Sequence, residues 1–255
     1  MKLIKILTAF IALISLQIAA AQWLNVPPPA EAKNLMVFTA GVPVVGGSNP
    51  SFTAVNGKFN GGSNNVELTG VTAGNLVAVF YGASGNPPTN AMTCSDGTST
   101  LTKATTATVG IYSVGQWFYI LAANSGDRTY TISVEGANAV QATMALEFDY
   151  TGTIVLDKQN NDHGADTTAV TTGSITTTGG ANSQLILAGS SVYAGGNQGS
   201  YLIAGTAADS AVETLAGDVA VWYRIVTANT TGAGTATDSS TGASFSGQII
   251  SFKGQ

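Results

Sequence analysis

Histidine and cysteine are nearly missing from this chain, which has one of each, His163 and Cys94, in 255 residues. A single cysteine excludes an internal disulfide, so the fold must stand on its hydrophobic core. The thiol could bridge only to another molecule; next to the Asp96-Gly97 turn it reads as a small, half-buried residue. One His and one Cys cannot build a zinc site of the usual kind. A Ser-His-Asp triad would have to recruit His163, and no G-x-S-x-G elbow is present to raise a serine. Nothing in the sequence brings Cys94 to His163 either.

Charge is also scarce. Only 9% of residues are charged, nine basic against fourteen acidic, for a net of −5. No cluster of Lys and Arg exists, which argues against nucleic acid and against anionic membrane surfaces. The Gly-rich stretch "GNLVAVFYGASG" (74–85) lacks the helix and basic residue that a phosphate loop needs. Soluble helices display Glu, Lys and Arg on their wet face. Here the polar positions are Thr, Ser, Asn and Gly, which suit strands and turns, so almost no helix is expected after the N-terminal leader.

Of what is present, the first feature is an apolar run from Ile6 to Ala21 behind Lys2 and Lys5. It ends in Ala19-Ala20-Ala21, the small-residue pattern of a secretory signal cleaved after Ala21. An uncleaved anchor is the competing reading, but the run falls a little short of a membrane span. No cysteine near the cut offers a lipid anchor, and no second apolar span follows. The mature chain is expected to be secreted, extracellular or at the cell surface, with no membrane insertion. Loss of Lys2 and Lys5 takes its net charge from −5 to −7.

The layout expected is a signal at 1–21, a Pro-containing leader or edge strand at 22–45, and β-sandwich repeats at 46–152 and 153–255. Pro27-Pro28-Pro29 favours extended polyproline geometry and keeps the leader out of a sheet interior. From Gly46 onward short strands alternate with Gly/Asn/Ser/Pro turns. Val66–Thr69 and Leu76–Tyr81 read as strands, and Trp117–Ala122 reads as a central strand covered on both faces. Tyr130, Ile132 and Val134 alternate with Thr129, Thr131 and Ser133, and Met144, Leu146, Phe148 and Tyr150 alternate with Thr143, Glu147 and Asp149.

The chain also repeats itself. "QWFYILAAN" (116–124) returns as "VWYRIVTAN" (221–229), which puts Trp117 against Trp222 at an offset of 105; Leu146-Glu147-Phe148 answers Ile250-Ser251-Phe252 at 104. Several elements in one order at nearly one spacing mean duplication. Between the copies, residues 151–180 read as a turn-rich linker that contains His163. On alternation, Phe118 and Ile120, with Tyr223 and Ile225, should face the core. Trp117 and Tyr119, with Trp222 and Arg224, should share the other face, where a Tyr-to-Arg exchange suggests partial burial or a meeting with another domain, subunit or ligand; core filling remains the better reading for both tryptophans.

Two acidic groupings deserve weighing. A glycosidase needs two carboxylates some 5–10 Å apart, but Glu147 and Asp149 at the end of an alternating strand read as solvated surface, so no catalytic residue and no cofactor is expected. Asp157, Asp162 and Asp166, with Asn160 and Asn161, offer hard oxygen ligands that suit Ca²⁺. Their spacing does not match an EF-hand, and a solvated linker is the better reading of them. Asn229-Thr230-Thr231 matches a glycosylation sequon.

The aliphatic strand opened by "AGNLVAVF", the Asp-Gly turn, the aromatic "WFYILAAN", the Thr-rich strand and the closing "ALEFDYTG", followed by "VWYRIVTAN" through "GQIISFKG", resemble tandem jelly-roll or immunoglobulin-like sandwich units of secreted bacterial surface proteins and of some phage virion proteins. The resemblance covers residues ~65–255 and implies an all-β fold of two related antiparallel sandwiches, separate or merged into one. It implies a non-catalytic role in attachment, lattice or filament building, with self-association or a surface glycan as partner. Tyr81, Tyr112, Tyr193 and Tyr201 are the candidate sugar platforms, and a virion structural protein is the remaining alternative.

Overall fold

The computed structural model describes residues 50–85, 92–104, 108–109, 112–134, 140–193, 198–213, 218–239 and 243–255; the expected signal at 1–21 and the expected leader or edge strand at 22–45 fall outside them. In the first half the strands are β1 (Thr53–Gly61), β2 (Asn65–Val71), β3 (Leu76–Ser84), β4 (Thr93–Ser95), β5 (Thr102–Lys103), β6 (Thr108–Val109), β7 (Ser113–Leu121), β8 (Gly126–Ser133) and β9 (Val140–Asp149). In the second they are β10 (Ile154–Thr167), β11 (Ala169–Thr176), β12 (Gln184–Tyr193), β13 (Gln198–Ile203), β14 (Thr206–Ala207), β15 (Ser210–Glu213), β16 (Val219–Val226), β17 (Thr231–Asp238) and β18 (Ala243–Gly254). No helix occurs among the described residues, as the shortage of charge predicts.

All strand pairs are antiparallel, and the two halves are wound alike. The first builds sheets of order β1-β9-β3-β7-β5 and β2-β8-β4; the second builds β10-β18-β12-β16-β15 and β11-β17-β13-β14. In each half the first strand lies beside the last, the last beside the third, and the second strand opens the opposite sheet. Successive strands that cross between two sheets in this way make a jelly roll, here written twice. Even the irregularities repeat: Val55 bulges out of β1 opposite Phe148–Glu147, and Asp157 bulges out of β10 opposite Phe252–Ser251.

The residues read as a linker, 151–180, are strands β10 and β11. Their Thr, Asn, Gly and Asp content looks turn-like because β10 is an edge strand with one wet side, and because β11 alternates buried Val170, Thr172 and Ile175 with exposed neighbours. His163 therefore sits within β10, exposed, opposite Ser246.

Three cores hold the molecule together. Val66, Leu68, Val77, Val79, Phe118, Tyr130 and Ile132 belong to the core of the first sandwich. Ile186, Ala188, Trp222, Ala236, Phe245 and Ile249 belong to that of the second. The third lies between the sandwiches, where the β3-containing sheet packs on the β12-containing sheet, and joins Leu76, Phe80, Trp117, Leu146 and Phe148 to Leu185, Leu187, Val221, Tyr223, Ile250 and Phe252. Among the described residues this seam holds twenty buried side chains, more than the sixteen and twelve of the two interiors. Each fully buried Leu, Val or Phe removes enough apolar surface to contribute roughly 1.5–3 kcal/mol, so the halves are fused and not merely tethered. The described residues accordingly fall in one compact unit, Met36–Gln255.

The seam explains why β3 is buried at every position. Its residues alternate between the first core (Val77, Val79, Tyr81) and the seam (Leu76, Ala78, Phe80). The same holds for β9, which was expected to be half-buried and is covered on both faces; of its expected wet positions Thr143 and Glu147 are 0% and 2% exposed, and only Asp149 is open.

Candidate functional site

The aromatic strands β7 and β16 line the seam, and their structural register is one residue off the match of their sequences. Leu76 pairs with Leu121 and Phe148, as Leu185 pairs with Ile225 and Phe252. This makes Trp117 equivalent to Val221 and Phe118 equivalent to Trp222, an offset of 104 and not 105. Because side chains alternate with period two, a slip of one exchanges the faces. Trp117 and Tyr119 do face the other sandwich, as expected. Trp222 fills a core, as expected of both tryptophans, but it is the second interior and not the face shared with Trp117; its indole N–H donates to the Leu202 carbonyl at 3.0 Å. Tyr223 and Ile225, expected in that interior, lie in the seam. Arg224 is half-buried on the face of Trp222, with Nη1 donating to the Ile203 carbonyl at 3.4 Å.

At one end the seam narrows, and the repeats have diverged to fit. Phe80 occupies the position equivalent to Gly189, and a Cβ on Gly189 would stand 2.7 Å from its ring. Val219 is equivalent to Gly115; its methyls lie over Gly82, whose Cβ would come within 2.5 Å of them. Each large side chain thus projects into a hole left by glycine on the facing sheet. Hydrogen bonds cross here as well: Ser191 Oγ donates to the Ala83 carbonyl at 2.9 Å, and the Trp117 N–H donates to Gln248 Oε1 at 2.8 Å. Two identical faces could not close this way, since Phe80 would meet a second phenylalanine.

At the same end Tyr112 and Tyr193, one from each half, meet with ring centroids 4.9 Å apart and planes tilted by 41°, and are 48% and 38% exposed. Of the four tyrosines expected as sugar platforms, these two are available. Tyr81 is buried, donates to Gln141 Oε1 at 3.0 Å, and burial pushes its hydroxyl up to about 12. Tyr201 is half-buried and donates to Glu213 Oε2 at 2.5 Å; burial, followed by that hydrogen bond, raises its pKa well above the ordinary range.

The opposite end of the first sandwich carries an open polar groove of about 350 Å³, lined by Val55, Asn56, Thr72, Asn75, Glu147 and Asp149 among others. Glu147, taken from sequence as solvated, is 2% exposed, and its Oε1 accepts hydrogen bonds from the Thr72 N–H (2.8 Å) and Asn75 Nδ2 (2.7 Å). Its partners lie more than seventy residues away, so no local pattern could reveal it.

The expected calcium ligands are not gathered. Asp157 and Asp162 are five residues apart on extended β10, about 16 Å at ~3.3 Å per residue, too far to share one ion. Asp157 is already engaged: Lys253 Nζ stands 3.2 Å away, and the backbone and hydroxyl of Thr178 both donate to it. Burial pushes its pKa up, but these bonds and the ammonium outweigh that and hold the carboxyl below its usual range. Asp162 accepts from the His163 N–H at 2.9 Å, and the side chain of Asp166 lies outside the described residues. Among the described residues no three His, Cys, Asp or Glu side chains stand close enough to hold a metal. Cys94 is buried in the first interior, where burial and then the Asp96 charge push its thiol up to about 12. Asn229 is exposed and accepts from the Gly180 N–H.

No family model matches the chain, and no curated protein matches it. Among solved structures it is similar to a chain in the atomic structure of Sulfolobus Turreted Icosahedral Virus, at 14% identity over 80% of this chain and 58% of that one, with a TM-score of 0.24. It is also similar to a chain from a structure of the triple jelly-roll fold and turret assembly in an archaeal virus, at 15% identity over 79% and 59%, with a TM-score of 0.23. The chain thus spans less than two thirds of either. Likeness at these scores carries no argument, and the jelly-roll winding rests on the strand order of this molecule.

Proposed function

We propose that this protein is a non-catalytic building block, exported by its N-terminal signal and assembled with copies of itself into a surface lattice, filament or shell. The observation that supports it is the back-to-back fusion of two jelly rolls through an asymmetric seam. This construction gives one block in which both faces of the inner strands β3 and β12 are spent on internal packing. The jelly roll is a module of shells and of lectins, and a fold alone does not decide between roles. The side chains able to do chemistry here are withdrawn from it: Cys94 is buried, Glu147 braces a turn, Asp157 is bridged, and His163 stands exposed on an edge strand.

Light scattering across a concentration series, on the chain without residues 1–21, tests the proposal. A defined or growing multi-subunit mass, with an ordered lattice or filament by electron microscopy, is the expected result. A concentration-independent monomer of about 23–24 kDa (scaled from chain length) would overturn it. A second reading, glycan binding, is favoured only by the exposed Tyr112–Tyr193 pair. It predicts that Tyr193→Ala abolishes retention on a glycan array.

A further inference from the structure

The internal duplication allows the groove beside Glu147 to be compared with its counterpart in the second half. By strand register Val55 corresponds to Asp157, Asp149 to Lys253, and Glu147 to Ser251. In both halves the turn after the second strand donates a backbone N–H to a carboxylate: Thr72 to Glu147 in the first, Thr178 to Asp157 in the second. The second half completes this arrangement with an ammonium, Lys253 Nζ, 3.2 Å from Asp157 Oδ1 and 3.0 Å from Thr178 Oγ1. In the first half the lysine position holds Asp149. The counterpart pairs its carboxylate with an ammonium; the groove holds two carboxyl side chains, no lysine, and is open.

We propose that the groove binds a primary ammonium group, presented as a lysine side chain by another molecule. The acceptors are in place. Glu147 is 98% buried by its 2% exposure and lines the groove, both of its hydrogen bonds go to Oε1, and Oε2 takes none from the described residues. Asp149 follows two positions along the same strand face, about 7 Å away. Asn56 donates its Nδ2 to the Thr69 carbonyl at 2.8 Å, which leaves its Oδ1 to accept. Three acceptors match the three N–H bonds of an ammonium. They do not supply the six to eight oxygens that Ca²⁺ takes. The exposed stem of Val55 offers an apolar wall for the methylenes. The site stands whether or not the chain assembles with itself.

The test is an NMR titration of the intact protein with Nα-acetyl-lysine methylamide, read at the Thr72 N–H and the Asn75 side-chain amide, with the norleucine analogue and CaCl₂ as separate arms. The expected result is saturable shifts from the lysine probe alone, with an apparent Kd of about 10 mM at low salt for one isolated ammonium. Asp149→Asn, at an exposed position that leaves the buried Glu147 in place, should weaken binding about tenfold. Asp149→Lys should place an ammonium beside Glu147, raise the thermal midpoint and abolish the probe shifts. Loss of self-association in Asp149→Asn would identify a second copy as the source of the lysine; unchanged mass would identify a different molecule. The proposal is overturned if norleucine shifts the same signals equally, if Ca²⁺ saturates them at lower concentration, or if Asp149→Lys leaves the lysine response intact.

Discussion

One methyl group added at Gly82 asks whether the two halves are wedged together where the seam narrows. Gly82 pairs with Gly115 and Ala142 within its own sheet, and its backbone angles are open to alanine. A Cβ there would stand 2.5 and 2.8 Å from the Val219 methyls and 3.2 Å from the Val219 Cβ. Val219 is β-branched and fully buried on β16, so it has little rotamer freedom to escape. Overpacking of this kind costs about 1–3 kcal/mol, offset by roughly 0.5–1 kcal/mol because alanine orders more easily than glycine in a strand. Val219→Ala alone removes two methyl groups, worth ~0.8 kcal/mol each, and leaves a small cavity, for a loss of about 2 kcal/mol. In the double variant the added methyl occupies vacated space. The pair should therefore be less destabilised than the sum of the singles by about 1–2 kcal/mol, a coupling typical of residues in contact. Denaturant unfolding of the four proteins measures it. Additivity within about 0.3–0.5 kcal/mol would mean that the two sandwiches do not meet there.

The remaining predictions concern the interiors and the charges. Trp117→Phe and Trp222→Phe should differ, because only the Trp222 indole donates a hydrogen bond; the second should cost on the order of 1 kcal/mol more than the first in equilibrium unfolding. Cys94, with its thiol pushed up to about 12 and buried, should resist a thiol-specific disulfide reagent at pH 8 and react fully once denatured. Asp157 and Asp218 should act in opposite senses in thermal melts against pH. Asp157 has a lowered folded-state pKa, so its contribution is present above ~3.9, the unfolded value, and is lost as pH falls through the folded one. Asp157→Asn should thus lower the midpoint at pH 7 more than at pH 3. Burial, then the Asp238 charge, raises the pKa of Asp218, so stability is lost as pH rises from ~3.9 through its folded value; Asp218→Asn should raise the midpoint at pH 7.

Strand alternation was legible where one face is wet, as along β8, where Tyr130 and Ile132 are buried between exposed threonines. It misled along β9, because a strand packed between two sandwiches buries both faces and its polar residues must then find partners; Glu147 finds them in a turn that sequence cannot bring near. The duplication was legible from the tryptophans, but matching them by identity set the register one residue off. Val221 stands where Trp117 does because the seam needs a knob on one side and space on the other, and that complementarity is a property of two sheets in contact. β10 was unreadable for a simpler reason, since an edge strand with Asn, Asp and Gly on its open side has the composition of a loop.

Calorimetric unfolding bears most directly on the central claim, that the seam fuses the two jelly rolls into one block. With the largest of the three cores shared between the halves, the protein should melt in a single transition whose calorimetric and van't Hoff enthalpies agree, and Phe80→Ala should lower that one transition. Two resolved transitions, with Phe80→Ala moving only the one that belongs to the first half, would contradict it.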